Sequence, residues 1–214
     1  MPAQSDVANR SVIIGRSSSH FTRITRIFAA ELGVAYDFQV VRDLMSSNAE
    51  DYGGNPALRI PNLKTPQGVW FGALNISREL WRQSGRKLHV VWPEDLDAPV
   101  TANAQELVLQ AMATEVSLVM AKVGGASEGG AHPVKLRTSL LNMLAWLEEN
   151  AEAALAALPA QRDLSYLEVT LFCLVQHLEF REVLPTAGYA ALNRFCQRFA
   201  ARASAKETAF RFDT

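Results

Sequence analysis

Two different periods organise the apolar positions of this chain. Near its start, Ser11-Val12-Ile13-Ile14-Gly15 is a short β-branched run closed by glycine, the pattern of a buried strand. A polar loop, Arg16 to Ser19, follows. Phe21, Ile24, Ile27, Phe28 and Leu32 then fall on one helical face, and Gly33 is the residue type that ends a helix in the left-handed conformation. Tyr36 to Val41 reads as a second strand, parallel to the first because a helix carries the crossover. Residues 42 to 57 are polar around Gly53-Gly54-Asn55-Pro56 and read as loop with room for a short helix. Ile60 to Leu63 and Val69 to Phe71 read as two short strands, with Gln67-Gly68 in the turn between them. Ala73 to Ser84 is helical, with Leu74, Ile76, Leu80 and Trp81 apolar.

The alternating signal then stops. Gly85 to Pro99 carries prolines and no clear period, so residues 85–98 read as a linker. No strand is expected after Pro99. Val108, Met112, Val116, Val119 and Met120 form one helical stripe, broken by Gly124-Gly125 and Gly129-Gly130. Leu136, Leu140, Leu144, Leu147, Ala151, Leu155 and Leu158 form a second. Leu167 to Val175 is apolar almost all round, which marks a helix at the centre of a bundle. Leu192, Phe195 and Phe199 mark a last amphipathic helix. The chain therefore reads as an α/β part over 1–84 (βαβ then ββα), the linker, and an all-helical bundle over 99–214.

Composition narrows the function classes. The 214 residues allow two small domains with real cores, and 49% hydrophobic with 20% charged residues is ordinary for a globular chain. A formal net charge of -1 gives no basic surplus for nucleic acid. Cys173 and Cys196 sit inside apolar helical patterns, with no Cys or His at a metal spacing, so neither a disulfide framework nor a metal site is expected. Met1 to Arg10 is polar and lacks a signal-peptide core, and no run of eighteen apolar residues occurs. A cytoplasmic protein with no membrane or nucleic-acid partner is expected.

Two motifs carry most information. In Leu164-Ser165-Tyr166-Leu167-Glu168-Val169, Ser165 and Glu168 have the spacing of a capping box, with Leu164 and Val169 at staple positions. A buried helix cannot send its first amides to water, so an internal cap reads as a folding element and not a catalytic acid. In Arg59-Ile60-Pro61, proline stands at a strand start. By composition an ordinary trans bond is expected there; a cis bond would turn the Ile60 main chain outward toward a ligand. Ser19 reads as a helix N-cap. His20 reads as a partly exposed loop histidine, and Arg23 and Arg26 as solvated or ion-paired surface rather than an anion site.

In this order the segments resemble cytosolic glutathione transferases, from about Ser11 to Phe210. Ser19 to Ile27 looks like that family's catalytic loop and first helix. Asn55 to Leu63 is similar to its Asn-Pro…Val-Pro-x-Leu, Leu164 to Glu168 to its Ser-x-Ala-Asp cap, and Arg202 to Thr208 to its terminal Arg-Pro-Ser…Thr. The resemblance implies a thioredoxin-like first domain and a helical second one, glutathione as co-substrate, and a homodimer. It implies that Ser19 is catalytic, with Ser17 and Ser18 close enough to substitute. Arg59, Ile60, Pro61, Gly72 and Ala73 would bind glutathione, and Met112, Val116 and Met120 would line an electrophile pocket, unless those methionines are plain core. The chain departs from the family where Gly72-Ala73 replaces an acidic residue and serine. Without that serine hydroxyl one charge-assisted hydrogen bond to glutathione is missing, at a cost of roughly 1.5–3 kcal/mol. Two functions therefore follow: conjugation of the glutathione thiolate to small hydrophobic electrophiles, or a non-catalytic binding or regulatory module on the same fold.

Overall fold

A computed structural model describes residues 10–125 and 129–214. The polar start read above lies outside them, apart from Arg10. The chain divides into two compact units, residues 1–87 with 202–214, and residues 88–201.

The first unit holds a four-stranded sheet in the order β2-β1-β3-β4. Strand β1 (Ser11–Gly15) leads through helix α1 (His20–Leu32) to β2 (Tyr36–Val40), which pairs with β1 in parallel. Strands β3 (Asn62–Thr65) and β4 (Gly68–Phe71) form an antiparallel hairpin on the other side of β1, and helix α2 (Ala73–Gln83) follows. This is the thioredoxin-like arrangement. Gly33 ends α1 at φ 66° and returns its amide to the helix's last turn, a conformation that a side chain would disfavour. Ile13, Ile24, Ile27, Phe28, Leu63, Ile76 and Leu80 are fully buried and form the core.

Helix α1 corrects two expectations. His20 is fully buried, and Arg23 and Arg26 are buried rather than solvated. Arg23 donates to the Ala205 carbonyl at 3.0 Å and lies over the Phe210 ring, so the last residues of the chain cover it. Nearly every position of α1 is buried, and its two arginines lie against aromatic rings, Arg23 over Phe210 and Arg26 over Phe38.

The second unit is helical, with one small exception. It contains α3 (Pro99–Val123), α4 (Ala131–Ala156), α5 (Tyr166–Phe180) and α6 (Ala190–Phe199). The stretch read as linker contains a two-residue strand, β5 (Val90–Val91), paired in parallel with β6 (Leu164–Ser165), where no strand was expected. Helix α5 runs through the middle, buried from Tyr166 to Val175 at every position but Glu168. Ser165 accepts the Glu168 amide at 3.0 Å, as the motif requires. The Glu168 carboxylate takes two hydrogen bonds from Arg162 instead of reaching back to the main chain. A short helix α7 (Ala203–Glu207), not legible as a separate element, groups with the first unit. Among the described residues no helix is long and apolar enough to cross a membrane.

Candidate functional site

Sheet register brings three loops to one edge of the first unit. Ile14 lies opposite Asn62, and Asn62 lies opposite Phe71. The strands are antiparallel there. The residues after Ile14, those before Asn62 and those after Phe71 therefore leave the sheet at the same end. Those residues are the Arg16–Ser19 loop, Ile60-Pro61 and Gly72-Ala73. A main-chain bond ties the last two, from the Gly72 amide to the Pro61 carbonyl at 3.3 Å.

Ser19 caps α1. Its backbone is extended (φ -101°, ψ 126°) and its Oγ accepts the Thr22 amide at 3.3 Å. A serine hydroxyl has two lone pairs and one proton, so the cap leaves that proton available to a partner outside the helix. Ser19 is half-buried, whereas Ser17 is 1% exposed, which removes Ser17 as an accessible hydroxyl. The loop is held from both ends. A side chain on Gly15 would meet Thr22 Oγ1 at 2.5 Å, so only glycine lets α1 start this close to β1. The Ser17 amide donates to the Asp213 carboxylate at 2.7 Å, across 196 positions of sequence.

The bond before Pro61 is cis. Neither main-chain group of Ile60 has a hydrogen-bond partner among the described residues. The Ile60 side chain packs against the small cluster of Ile14, Val41 and Tyr52. Beneath this turn lies a polar pair to which the motifs assigned no role. Asn62 is fully buried and donates to the carbonyls of Tyr52 (2.7 Å) and Arg59 (2.8 Å). Asn55 donates to Asn62 Oδ1 (2.9 Å) and to the Arg59 carbonyl (3.0 Å). Together they fix residues 55–61 from inside. The signal was present as Asn55-Pro56 and Asn62, since asparagine is a residue type that bonds main chain locally. The Arg59 side chain is exposed.

Gly72 precedes α2 at φ 82°, a conformation suited to glycine, and no side chain caps the helix. Ala73 is 6% exposed. An uncapped helix start carries unsatisfied amides and a partial positive charge, which attract a carboxylate.

In the second unit, Met112 is fully buried, while Val116 and Met120 are half-buried on the same stripe of α3. The stripe also contains Glu115, fully buried and bonded to His177 Nδ1 at 2.7 Å. Its three-residue step from Met112 was the available signal for that burial.

No protein-family model matches the chain, and no curated protein matches it. Solved structures do. The chain is similar to a glutathione S-transferase of Methylobacillus flagellatus KT with glutathione bound, at 23% identity and a TM-score of 0.73, over 94% of this chain and 100% of that one. A glutathione transferase family member from Pseudomonas fluorescens Pf-5 with bound glutathione gives 20% identity and a TM-score of 0.76, over 94% and 99%. The Tau class enzyme of mango gives 17% identity and a TM-score of 0.67, over 94% and 93%. The chain has the fold of these proteins.

Proposed function

We propose that this chain is a glutathione transferase, binding glutathione at the loop edge of its first unit and passing the thiolate to small hydrophobic electrophiles. The observation that carries the reading is the unpartnered main chain of Ile60, at the same sheet edge as the Ser19 helix start and the open start of α2. An amide and a carbonyl at one residue match a peptide's own carbonyl and amide, as in strand addition. The α2 start takes the γ-glutamyl carboxylate, and Arg59 faces the glycyl carboxylate. The bound-glutathione neighbours support the ligand.

A free thiol of this kind has a pKa of about 8.5 and is mostly protonated at neutral pH. The Ser19 hydroxyl donates to the sulfur, and the positive end of α1 favours the anion. The thiolate attacks an activated carbon. With a chlorinated nitrobenzene a C–S bond forms, the C–Cl bond breaks, chloride leaves, and the thiol proton goes to solvent. A homodimer belongs to the same reading.

The test is conjugation of a chlorinated nitrobenzene by wild type and Ser19→Ala across pH. Losing one hydrogen bond to a charged sulfur lowers kcat/KM roughly 10- to 100-fold at neutral pH. It also moves the alkaline rise of the profile to higher pH. Equal profiles would remove Ser19 from the chemistry. A second reading, a non-catalytic module, is favoured by the missing acidic-serine pair at Gly72-Ala73. Thermal unfolding with millimolar glutathione separates the two. A ligand at about a hundred times its dissociation constant stabilises by about 2.7 kcal/mol. No shift, together with no turnover, selects the module.

A further inference from the structure

We propose that the cleft beside Arg26 binds a small organic carboxylate. The cleft lies in the first unit, between the C-terminal half of α1, the start of β2 and the end of α7, and has a volume of about 450 Å3. Tyr36 pairs with Ser11, at the sheet end opposite the Ser19 loop, so this site is distinct from the glutathione edge.

Arg26 is nine-tenths buried, at 7% exposure. Its one hydrogen bond among the described residues runs from Nε to the Tyr36 hydroxyl at 3.2 Å. Its Nη1 is buried with no partner there, and no described carboxylate forms an ion pair with it. The Phe38 ring lies 5.1 Å from Cζ and supports the guanidinium plane without neutralising it. A cation withdrawn this far from water, with its terminal donors unused, is costly unless an anion joins it. The planar fork matches a carboxylate through two parallel bonds.

The walls define the rest of the ligand. Tyr36 accepts from Arg26, so its own proton is free to donate to the same anion. Ala29, Val34 and Ala35 give apolar surface for a short hydrocarbon or aromatic body, and the volume suits a small molecule. Glu207 also lines the cleft and is exposed. Its charge opposes a second negative charge on the ligand, which selects monoanions.

The test is calorimetric titration of the full chain with sodium benzoate, and with benzamide as the neutral isostere, at fixed ionic strength. Saturable benzoate binding is expected, with benzamide at least about tenfold weaker, since it lacks the charge that Arg26 pairs with. Arg26→Gln abolishes it. Should that variant fail to fold, two milder ones carry the test. Tyr36→Phe weakens benzoate roughly three- to tenfold, and Glu207→Gln strengthens it roughly twofold, as expected for one neutral hydrogen bond and one exposed charge. No benzoate binding, equal binding of benzamide, or a benzoate constant unmoved by both milder variants would overturn the site. Saturating glutathione leaves the benzoate constant unchanged; competition would also overturn the assignment. Failure here leaves the transferase reading untouched, because that reading is tested by turnover and by glutathione.

Discussion

Helix α5 in the second unit and helix α2 in the first begin in opposite ways. Ser165 is fully buried and accepts the Glu168 amide in the first turn of α5, and Arg162 clamps the carboxylate of that same glutamate. Helix α6 is closed as firmly, since the Glu148 carboxylate reaches from α4 to accept both the Ala191 and Leu192 amides, at 2.8 and 3.0 Å. Helix α2 starts at Gly72 with no side-chain acceptor, although Ala73 is buried. The starts of α3 and α4 also lack side-chain caps, but they fall at exposed Pro99 and Ala131, where water serves. Among these starts α2 alone opens on a buried first residue with no side-chain acceptor. The closed starts hold the helical unit together. The open one offers its amides to an anion, and it stands at the edge that Ile60 and Ser19 share.

Breaking a closed start should cost stability and leave binding alone. Ser165→Ala removes the cap of a buried helix and is expected to lower the unfolding free energy by about 1–2 kcal/mol. Urea unfolding measures this, while the glutathione dissociation constant stays as in wild type. A loss below about 0.3 kcal/mol would mean that the clamp at Glu168 suffices without the serine.

Filling the open start should do the reverse. Ala73→Ser restores a hydroxyl where the γ-glutamyl carboxylate is expected, and glutathione should bind roughly three- to tenfold tighter with unfolding unchanged within about 0.5 kcal/mol. Calorimetry gives the affinity. Unchanged or weaker binding would place the carboxylate elsewhere and undo the contrast between the two helices.

The sequence made the closed ends more legible than the open one. Serine three residues before glutamate, ahead of an apolar run, names its own cap, and Gly33 named the end of α1. The β1-α1-β2 and β3-β4 order followed from β-branched runs, although β3 begins two residues later than its apolar pattern, after Pro61. Other features had no local signal. The β5-β6 pair is two residues long on each side, too short for any period. Asp213 meets Ser17 across almost the whole chain. Arg23 and Arg26 were read from their charge, but almost every side of α1 is covered, so charge did not mark a solvent face. Asn62 alternates as an outward residue between Pro61 and Leu63, yet its amide turns inward. There it donates to two main-chain carbonyls of the loop beneath it and accepts a hydrogen bond from Asn55.

The smallest expected effect tests how the first unit holds its C-terminal tail. Glu31 of α1 accepts two hydrogen bonds from Arg202, at 2.7 and 3.0 Å, and one from Ser204, which ties the tail and α7 to this unit. Burial by itself would raise the Glu31 carboxyl. The hydrogen bonds from Arg202 and Ser204, with the charges of Arg202 and Arg86, outweigh it and hold the group below the usual carboxylate range. A carboxyl more acidic folded than unfolded adds stability that is fully present above its unfolded value of about 4.3 and fades as pH falls through the lower folded value. Arg202 is partly exposed and the pair is screened, so the contribution stays under about 1 kcal/mol. Urea midpoints of wild type should therefore drop between neutral and acid pH by slightly more than those of Arg202→Gln, and added salt should shrink the difference. Parallel acid curves would mean that the tail is held by the packing of α7 and by Arg23 beneath Phe210. The contrast between sealed and open ends would then rest on the helix starts alone.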